Sequence, residues 1–157
     1  MNAALIQILT GAVGSAAFAL YVHMRPKLLP AAAFGSALGW AVYLLVYQVH
    51  PHLFICNMLA AIAIYIWCKI MARMLKIPVT IFLVPGIFPL LPGSYLYYTL
   101  LTLLNKQADA FRQNALSTIS TTLGIACGVV AAAIVANWMI DITERVRRKS
   151  SVSKNKA

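Results

Sequence analysis

The sequence predicts an all-α integral membrane protein with five transmembrane helices, the fourth of which is broken at a proline/glycine motif. Of the 157 residues, 62% are hydrophobic, well above the 45 to 50% of ordinary soluble domains. A spanning helix uses roughly 20 mostly apolar residues, so about five spans account for nearly all of the apolar residues. The few charged residues, 10% of the chain, lie mainly at the edges of the apolar runs. Little sequence remains for a soluble domain.

The first three apolar runs predict spans at about 5–22, 28–49 and 53–70. The first run lacks a basic n-region, which indicates a retained helix rather than a cleaved signal peptide. Polar stretches at 23–27 and 50–52 separate the three runs, and basic residues follow the third. These stretches are the predicted loops.

The fourth run, about 79–104, is long and contains three prolines and two glycines. A polar stretch at 105–114 separates it from the fifth run, about 115–140. The end of the chain, 143–157, is rich in Ser, Lys and Arg and holds too few apolar residues to fold alone. The predicted organisation is a transmembrane domain, 1–142, followed by a basic cytoplasmic tail, 143–157.

The distribution of lysine and arginine predicts the orientation, because cytoplasmic flanks of membrane helices are enriched in these residues. With the N-terminus outside, the loops after runs one and three and the C-terminal tail hold two, three and six of them. The outer side then holds only Lys106 and Arg112. The ratio of eleven to two predicts an external N-terminus and a cytoplasmic C-terminus.

The composition argues against catalytic and nucleic-acid functions. Only three residues are acidic, which leaves few carboxylates for acid/base or metal-assisted chemistry, and no enzyme activity is predicted. Cys56, Cys68 and Cys127 stand singly in apolar stretches, which is typical of buried thiols rather than metal or disulfide sites. No cofactor or metal is expected. The net charge of +10 follows span edges and is read as a topology signal, with no nucleic-acid partner. The span centres hold no ionisable residue, so a coupling ion's carrier is expected on a partner.

Small residues on three runs predict close helix packing, since helices in lipid associate where their backbones can approach. Run two carries Gly35 and Gly39, and run one carries Gly11, Gly14 and Ser15. A third face, on run five, consists of Ser117, Thr121, Gly124 and Gly128. So many adhesive faces on five helices also suggest contact with a second subunit.

The interrupted fourth run is the most informative segment. A proline has no N–H to bond the carbonyl four residues earlier, so Pro85, Pro89 and Pro92 release three carbonyls from the helical ladder. Irregular backbone inside a membrane is tolerated only where protein covers it or where it lines a cavity. Discontinuous helices of this kind form substrate sites in secondary transporters. The alternative is a kinked span that neighbouring helices shield.

The restart of the helix after Pro92 suggests how the break could bind a substrate. Proline suits the first helical position, which would leave the amides of Gly93, Ser94 and Tyr95 unpaired at a helix N-terminus, where the dipole favours an anion. The released carbonyls could hold an ammonium group or a cation. The alternative is that a neighbouring helix or water pairs with these amides.

The segment 76–94, followed by a tyrosine-rich helix, resembles the signature of the threonine/serine exporter family, and in particular its small five-span subunit. The matching residues lie within about Pro78 to Tyr98. The predicted substrate-binding residues are those of the break, six of which match the motif and the seventh of which is Tyr95: Pro85, Gly86, Pro89, Pro92, Gly93, Ser94 and Tyr95.

The resemblance implies one half of a two-subunit exporter in the bacterial cytoplasmic (inner) membrane. The expected partner is a larger membrane subunit of the same family with a soluble N-terminal portion. The implied substrates are threonine and serine, or a dicarboxylate such as succinate. A non-transporting scaffold subunit is the main rival, and a pore-forming channel stays open.

Overall fold

The computed structural model describes residues 2–154 of the chain and the side chains of residues 3–138. Over these residues the all-helical prediction is confirmed. The six helices are α1 (Asn2–Tyr21), α2 (Leu29–Val49), α3 (Leu53–Leu75), α4 (Val79–Ile87), α5 (Gly93–Leu104) and α6 (Ala108–Lys154). Short 3₁₀ turns at Pro26–Leu28 and Phe88–Leu90 precede α2 and follow α4.

Four of these helices are long and apolar enough to cross a membrane: α1, α2, α3 and the 108–138 part of α6. The pair formed by α4 with its 3₁₀ turn and α5 meets the same test only when it is taken together, and its two members are bent by 53°. The described chain therefore has four candidate spans, or five if the bent pair is one span.

Helix α3 is at the centre of the bundle, since it packs against α2, α4 and α6. Glycines on α2 and α6 allow both helices to approach α3 so closely that an added Cβ would overlap it. Gly39 of α2 faces the Ile64 side chain, and Gly128 of α6 faces the Met58 carbonyl. The predicted faces on runs two and five are thus used inside the chain, so they give no argument for a second subunit.

A residue with left-handed backbone follows α1, α3 and α5: His23, Lys76 and Lys106, respectively. In each case the amide of the next residue bonds the carbonyl five positions earlier, as in Met24 to Ala19 at 2.9 Å. The ammonium groups of Lys76 and Lys106 also complement the dipoles of the helices that they follow. Arg25 and Lys27 follow His23 within four residues.

The last helix is longer than the fifth predicted span. It begins at Ala108 and continues to Lys154, so it includes most of the polar stretch 105–114 and of the predicted tail 143–157. The tail was expected to be unable to fold alone, but extending an existing helix needs no new nucleation. At the basic end of the bundle, the Lys69 ammonium of α3 donates to the Asn137 side chain of α6 at 2.9 Å.

A candidate transport site around the break in α4

The proline motif bends the chain once, by 53° between residues 79–90 and 93–104. Pro85 lies inside α4, and the Phe88–Leu90 turn follows directly. Pro92 then adopts φ −77° and ψ 50°, the geometry of an inverse γ-turn, and the Gly93 amide donates to the Leu91 carbonyl at 2.8 Å. The expectation that the Gly93 amide is unpaired is therefore wrong, because the turn at Pro92 brings it onto the Leu91 carbonyl.

Two of the released carbonyls also have partners. The Pro85 carbonyl accepts the Ser15 hydroxyl at 2.7 Å and the Phe88 amide. The Phe88 carbonyl accepts the Leu91 amide at 3.3 Å. The Pro85 carbonyl thus has both acceptor positions filled and is closed to an ammonium group, contrary to the expectation from the sequence. The Phe88 carbonyl accepts one bond from the chain.

The bond from Ser15 is part of a contact between α1 and the break that we call the central junction: Ser15, Phe18, Pro85 and Phe88. Ser15 is fully buried. The rings of Phe18 and Phe88 stack with their centroids 4.5 Å apart and their planes 15° apart. One polar contact and one aromatic contact thus join α1 to the proline-containing segment 85–92, which we call the kinked segment.

A groove of about 820 Å³, the basic groove, lies on one side of the central junction. The loop between α1 and α2 contributes His23, Arg25 and Lys27 to its wall, and all three side chains are exposed. Thr80 and Pro85 of α4 line it as well. It is an apolar cleft with cations at its mouth.

A smaller groove of about 290 Å³, the tryptophan groove, lies on the other side of the junction. Its lining combines α1, α2 and the break: Gln7, Thr10, Gly11, Gly14, Trp40, Phe88 and Pro89. Since Pro85 lines the first groove and Phe88 and Pro89 line the second, the kinked segment separates the two.

The seven predicted site residues do not share one cavity. Pro85 and Gly86 are buried, and a Cβ on Gly86 would lie 3.0 Å from the Ile64 side chain, so α4 approaches α3 closely there. Pro89 lines the tryptophan groove.

The remaining four, from Pro92 to Tyr95, line neither groove. Gly93 and Ser94 are exposed, while Pro92 and Tyr95 are half-buried.

Sequence reasoning does not assign Phe18, Trp40 and Phe88 to the site, and it interprets the basic loop residues only as a topology signal. Ser15 had been interpreted as part of a small packing face. A hydroxyl in an apolar run opposite a proline break is the one signal that could have identified it, because a released carbonyl needs a donor.

A family model described as "Threonine/Serine exporter, ThrE" matches residues 7–135. The chain belongs to the threonine/serine exporter family. The matched range includes the whole of the central junction and both grooves of this exporter. Comparisons with curated proteins and with solved structures give no match. The exporter is thus a multi-pass membrane transport protein, and transport is not an enzyme activity.

Among the described side chains of the exporter, no group of three or more His, Cys, Asp or Glu residues is placed to hold a metal ion. Cys56 and Cys68 are buried and free, and Cys127 is exposed and free.

Proposed function

We propose that this chain is one half of a two-subunit exporter that moves small carboxylate metabolites out of the bacterial cytoplasm. The proposed substrates are threonine and serine, or a dicarboxylate such as succinate. The observation that carries the proposal is the pair of grooves on opposite sides of the kinked segment. A transporter needs one site that can be reached from either side in turn, and a broken helix between two clefts provides the place where the barrier can move.

We infer that the chain crosses the membrane five times, because the bent pair of helices connects the two ends of the bundle. Helix α4 begins just after the basic end of α3, at Val79. Thr99 of α5 lies 3.3 Å from Thr118 of α6, hydroxyl to hydroxyl. The first part of α6 shares a cleft with the His52 loop at the other end of the bundle. The bent pair thus runs from one end to the other, as a single broken span would.

In this arrangement the basic groove opens to the cytoplasm and the tryptophan groove opens outward, in agreement with the excess of lysine and arginine at one end. Arg25 and Lys27 would raise the local concentration of a carboxylate substrate at the mouth of the basic groove. The substrate would then pass the central junction when the Ser15 bond and the Phe18–Phe88 stack open.

The proposed partner is a larger membrane subunit of the same family with a soluble N-terminal portion. The support for it is chemical. The described side chains include one carboxylate, Asp109, which lies in the first turn of α6 rather than at a span centre. A proton or sodium coupling group in a membrane is usually an acidic residue, so the partner would supply it.

The first test is transport by the purified chain with and without its partner. Reconstituted alone, the chain is expected to show no counterflow of threonine, serine or succinate, whereas the complex with its copurifying membrane subunit exchanges at least one of them. Radiolabelled uptake into preloaded liposomes measures this. Robust flux by the chain alone would contradict the two-subunit proposal. A complex that assembles but moves none of the three would support the scaffold alternative.

A second prediction concerns the basic groove. The double variant Arg25→Gln, Lys27→Gln is expected to raise the internal substrate concentration for half-maximal export by about two- to fivefold, since exposed charges contribute about 0.2 to 1 kcal/mol. The effect should shrink at high salt, where exposed charges are screened. The half-maximal concentration is measured from the rate of efflux out of right-side-out vesicles that are preloaded with a series of substrate concentrations.

The matched control is Lys106→Gln, which removes a cation at the opposite end of the bundle. It should leave the half-maximal concentration unchanged. If both variants raise the half-maximal concentration equally, the cause is the net charge of the protein and not the position of the cations at the basic groove.

A further inference from the structure

A third groove, the α3–α6 groove, lies between these two helices at the basic end of the bundle. Its volume is about 500 Å³. It has no lining residue in common with the basic groove or the tryptophan groove. Two of its nine lining residues are cations and the other seven are aliphatic: Ile62, Ile66, Lys69, Ile70, Arg73, Ala131, Ala132, Val135 and Ala136.

The groove begins where the closest packing of α6 on α3 ends. Gly128 of α6 faces the Met58 carbonyl and the Ala61 side chain. The lining starts directly after this contact, at Ile62 on α3 and at Ala131 on α6. Alanine methyl groups are too short to fill the space between two helices, so a cleft remains along the next turns.

The aliphatic walls of the groove are open to the surroundings of the bundle. Ile66, Ile70 and Val135 are 49%, 48% and 55% exposed. Both helices are candidate membrane spans, so the medium around this surface is hydrocarbon rather than water. Because burying a polar group in such a cleft is costly, the walls suit a hydrocarbon chain and not a polar solute.

The length of the groove corresponds to one leaflet of a bilayer. Ile62 lies near the middle of α3, and Arg73 lies two residues before its end. A rise of about 1.5 Å per residue places these two residues roughly 16 Å apart along the helix axis. This distance is close to half of the hydrocarbon thickness of roughly 30 Å. The groove thus extends from the middle of the bilayer to the interface, as an acyl chain does.

The two cations lie at the interfacial end, where the phosphate of such a lipid would be. Lys69 and Arg73 are one helical turn apart, on the same face of α3, where like charges repel each other. Arg73 is exposed. The Lys69 ammonium donates to the Asn137 side chain at the surface, at 2.9 Å, and it has two further N–H donors. A phosphate between the two side chains would relieve the repulsion and accept charge-assisted hydrogen bonds.

We propose that the α3–α6 groove binds an anionic phospholipid, with one acyl chain against the aliphatic walls and the phosphate between Lys69 and Arg73. The lipid belongs to the leaflet at the basic end of the bundle, which is the cytoplasmic leaflet in the proposed orientation. Charge decides between this occupant and a helix of another subunit, because an apolar span offers no anion to the two cations. The site is independent of the proposed transport, since the kinked segment takes no part in it.

Native mass spectrometry tests the selectivity of the site. The delipidated protein, purified in detergent with any copurifying subunit, is titrated with phosphatidylglycerol or with phosphatidylcholine of the same acyl chains. The first phosphatidylglycerol is expected to bind about tenfold more tightly than phosphatidylcholine, and Lys69→Gln, Arg73→Gln should abolish most of this preference. The matched control, Arg25→Gln, Lys27→Gln, removes two cations at the same end but outside the groove, and it should retain the preference.

Photo-cross-linking tests the position of the acyl chain. A phosphatidylglycerol with a diazirine in its acyl chain is expected to label the two lining segments, 62–73 and 131–136. Excess phosphatidylglycerol should suppress the labelling, whereas glycerol 3-phosphate should not. Ala131→Phe fills the groove at an exposed position and should reduce the labelling about tenfold. Ala126→Phe, at an exposed position of α6 outside the groove, is the matched control and should leave it unchanged.

Three results would overturn the site. Equal affinity for the two lipids, or an equal loss of preference in both double variants, would mean that the groove cations do not select the lipid. Suppression of the labelling by glycerol 3-phosphate would indicate a simple anion site without an acyl chain. Release of the copurifying subunit by Ala131→Phe, with lipid binding unchanged, would identify the groove as a contact between proteins.

Discussion

Replacing Gly124 by alanine is expected to destabilise the folded bundle by about 3 kcal/mol or more, the upper end of the range for overpacked cores. A Cβ at this position would lie 2.5 Å from the Phe54 carbonyl oxygen and 3.2 Å from the Asn57 Cβ. The opposing oxygen belongs to the backbone of α3, so no side chain can rotate away. The two helices would have to separate along their whole contact. Thermal unfolding in detergent, followed by circular dichroism and by the monodisperse fraction, measures the loss.

Gly14→Ala is the matched control, since it adds the same single carbon to a helix at a position where no described atom lies within 4 Å. Alanine is favoured over glycine inside a helix by roughly 1 kcal/mol. The control should therefore unfold at the same temperature as the natural chain or slightly above it. The close packing of α6 on α3 is refuted if Gly124→Ala is as stable as Gly14→Ala.

The position of the break could be predicted from the sequence because proline and glycine act through the backbone alone. A proline lacks the N–H of the helical ladder wherever it stands, and here the α-helix passes into a 3₁₀ turn at Phe88–Leu90 and then bends by 53° before α5. Pro85, by contrast, lies inside α4, which continues past it to Ile87. The small faces of α2 and α6 were likewise predictable as packing surfaces, since only a small residue allows close approach in lipid.

The partners of the break could not be predicted, because they depend on tertiary contacts. A released carbonyl calls for a donor, but the sequence does not say which hydroxyl supplies it, and in the structure the donor is Ser15, 70 residues before Pro85. The Gly93 amide was assigned to a substrate because a restarting helix has unpaired amides. The inverse γ-turn at Pro92 depends on one backbone angle, and it pairs the amide within the turn instead.

The same limit applies to the question of a second subunit. A count of glycine faces cannot show whether they meet inside one chain or between two. In the structure Gly35 faces Trp67, and Gly39 and Gly124 also face α3. The proposal of a partner therefore depends on the scarcity of carboxylates among the described side chains, where Asp109 lies in the first turn of α6.

Cross-linking the central junction is expected to stop transport reversibly. In a cysteine-free background, Phe18→Cys with Phe88→Cys places two thiols where stacked rings lie 4.5 Å apart. A short bifunctional thiosulfonate that joins them would hold α1 against the kinked segment, and the two grooves could no longer connect. Export by the complex should fall at least tenfold after cross-linking and should recover when a reductant cleaves the linker.

The matched control is Phe34→Cys with Trp67→Cys, at a contact between α2 and α3 where the rings lie 4.6 Å apart. This pair joins helices that pack through Gly35 and Gly39, away from both grooves, so its cross-link should leave most of the export rate intact. The comparison decides whether the junction moves during transport, because both pairs restrain neighbouring helices over nearly the same distance. Full activity with the 18–88 pair completely cross-linked would mean that substrate passes elsewhere, and the kinked segment would then be a shielded bend with a structural role.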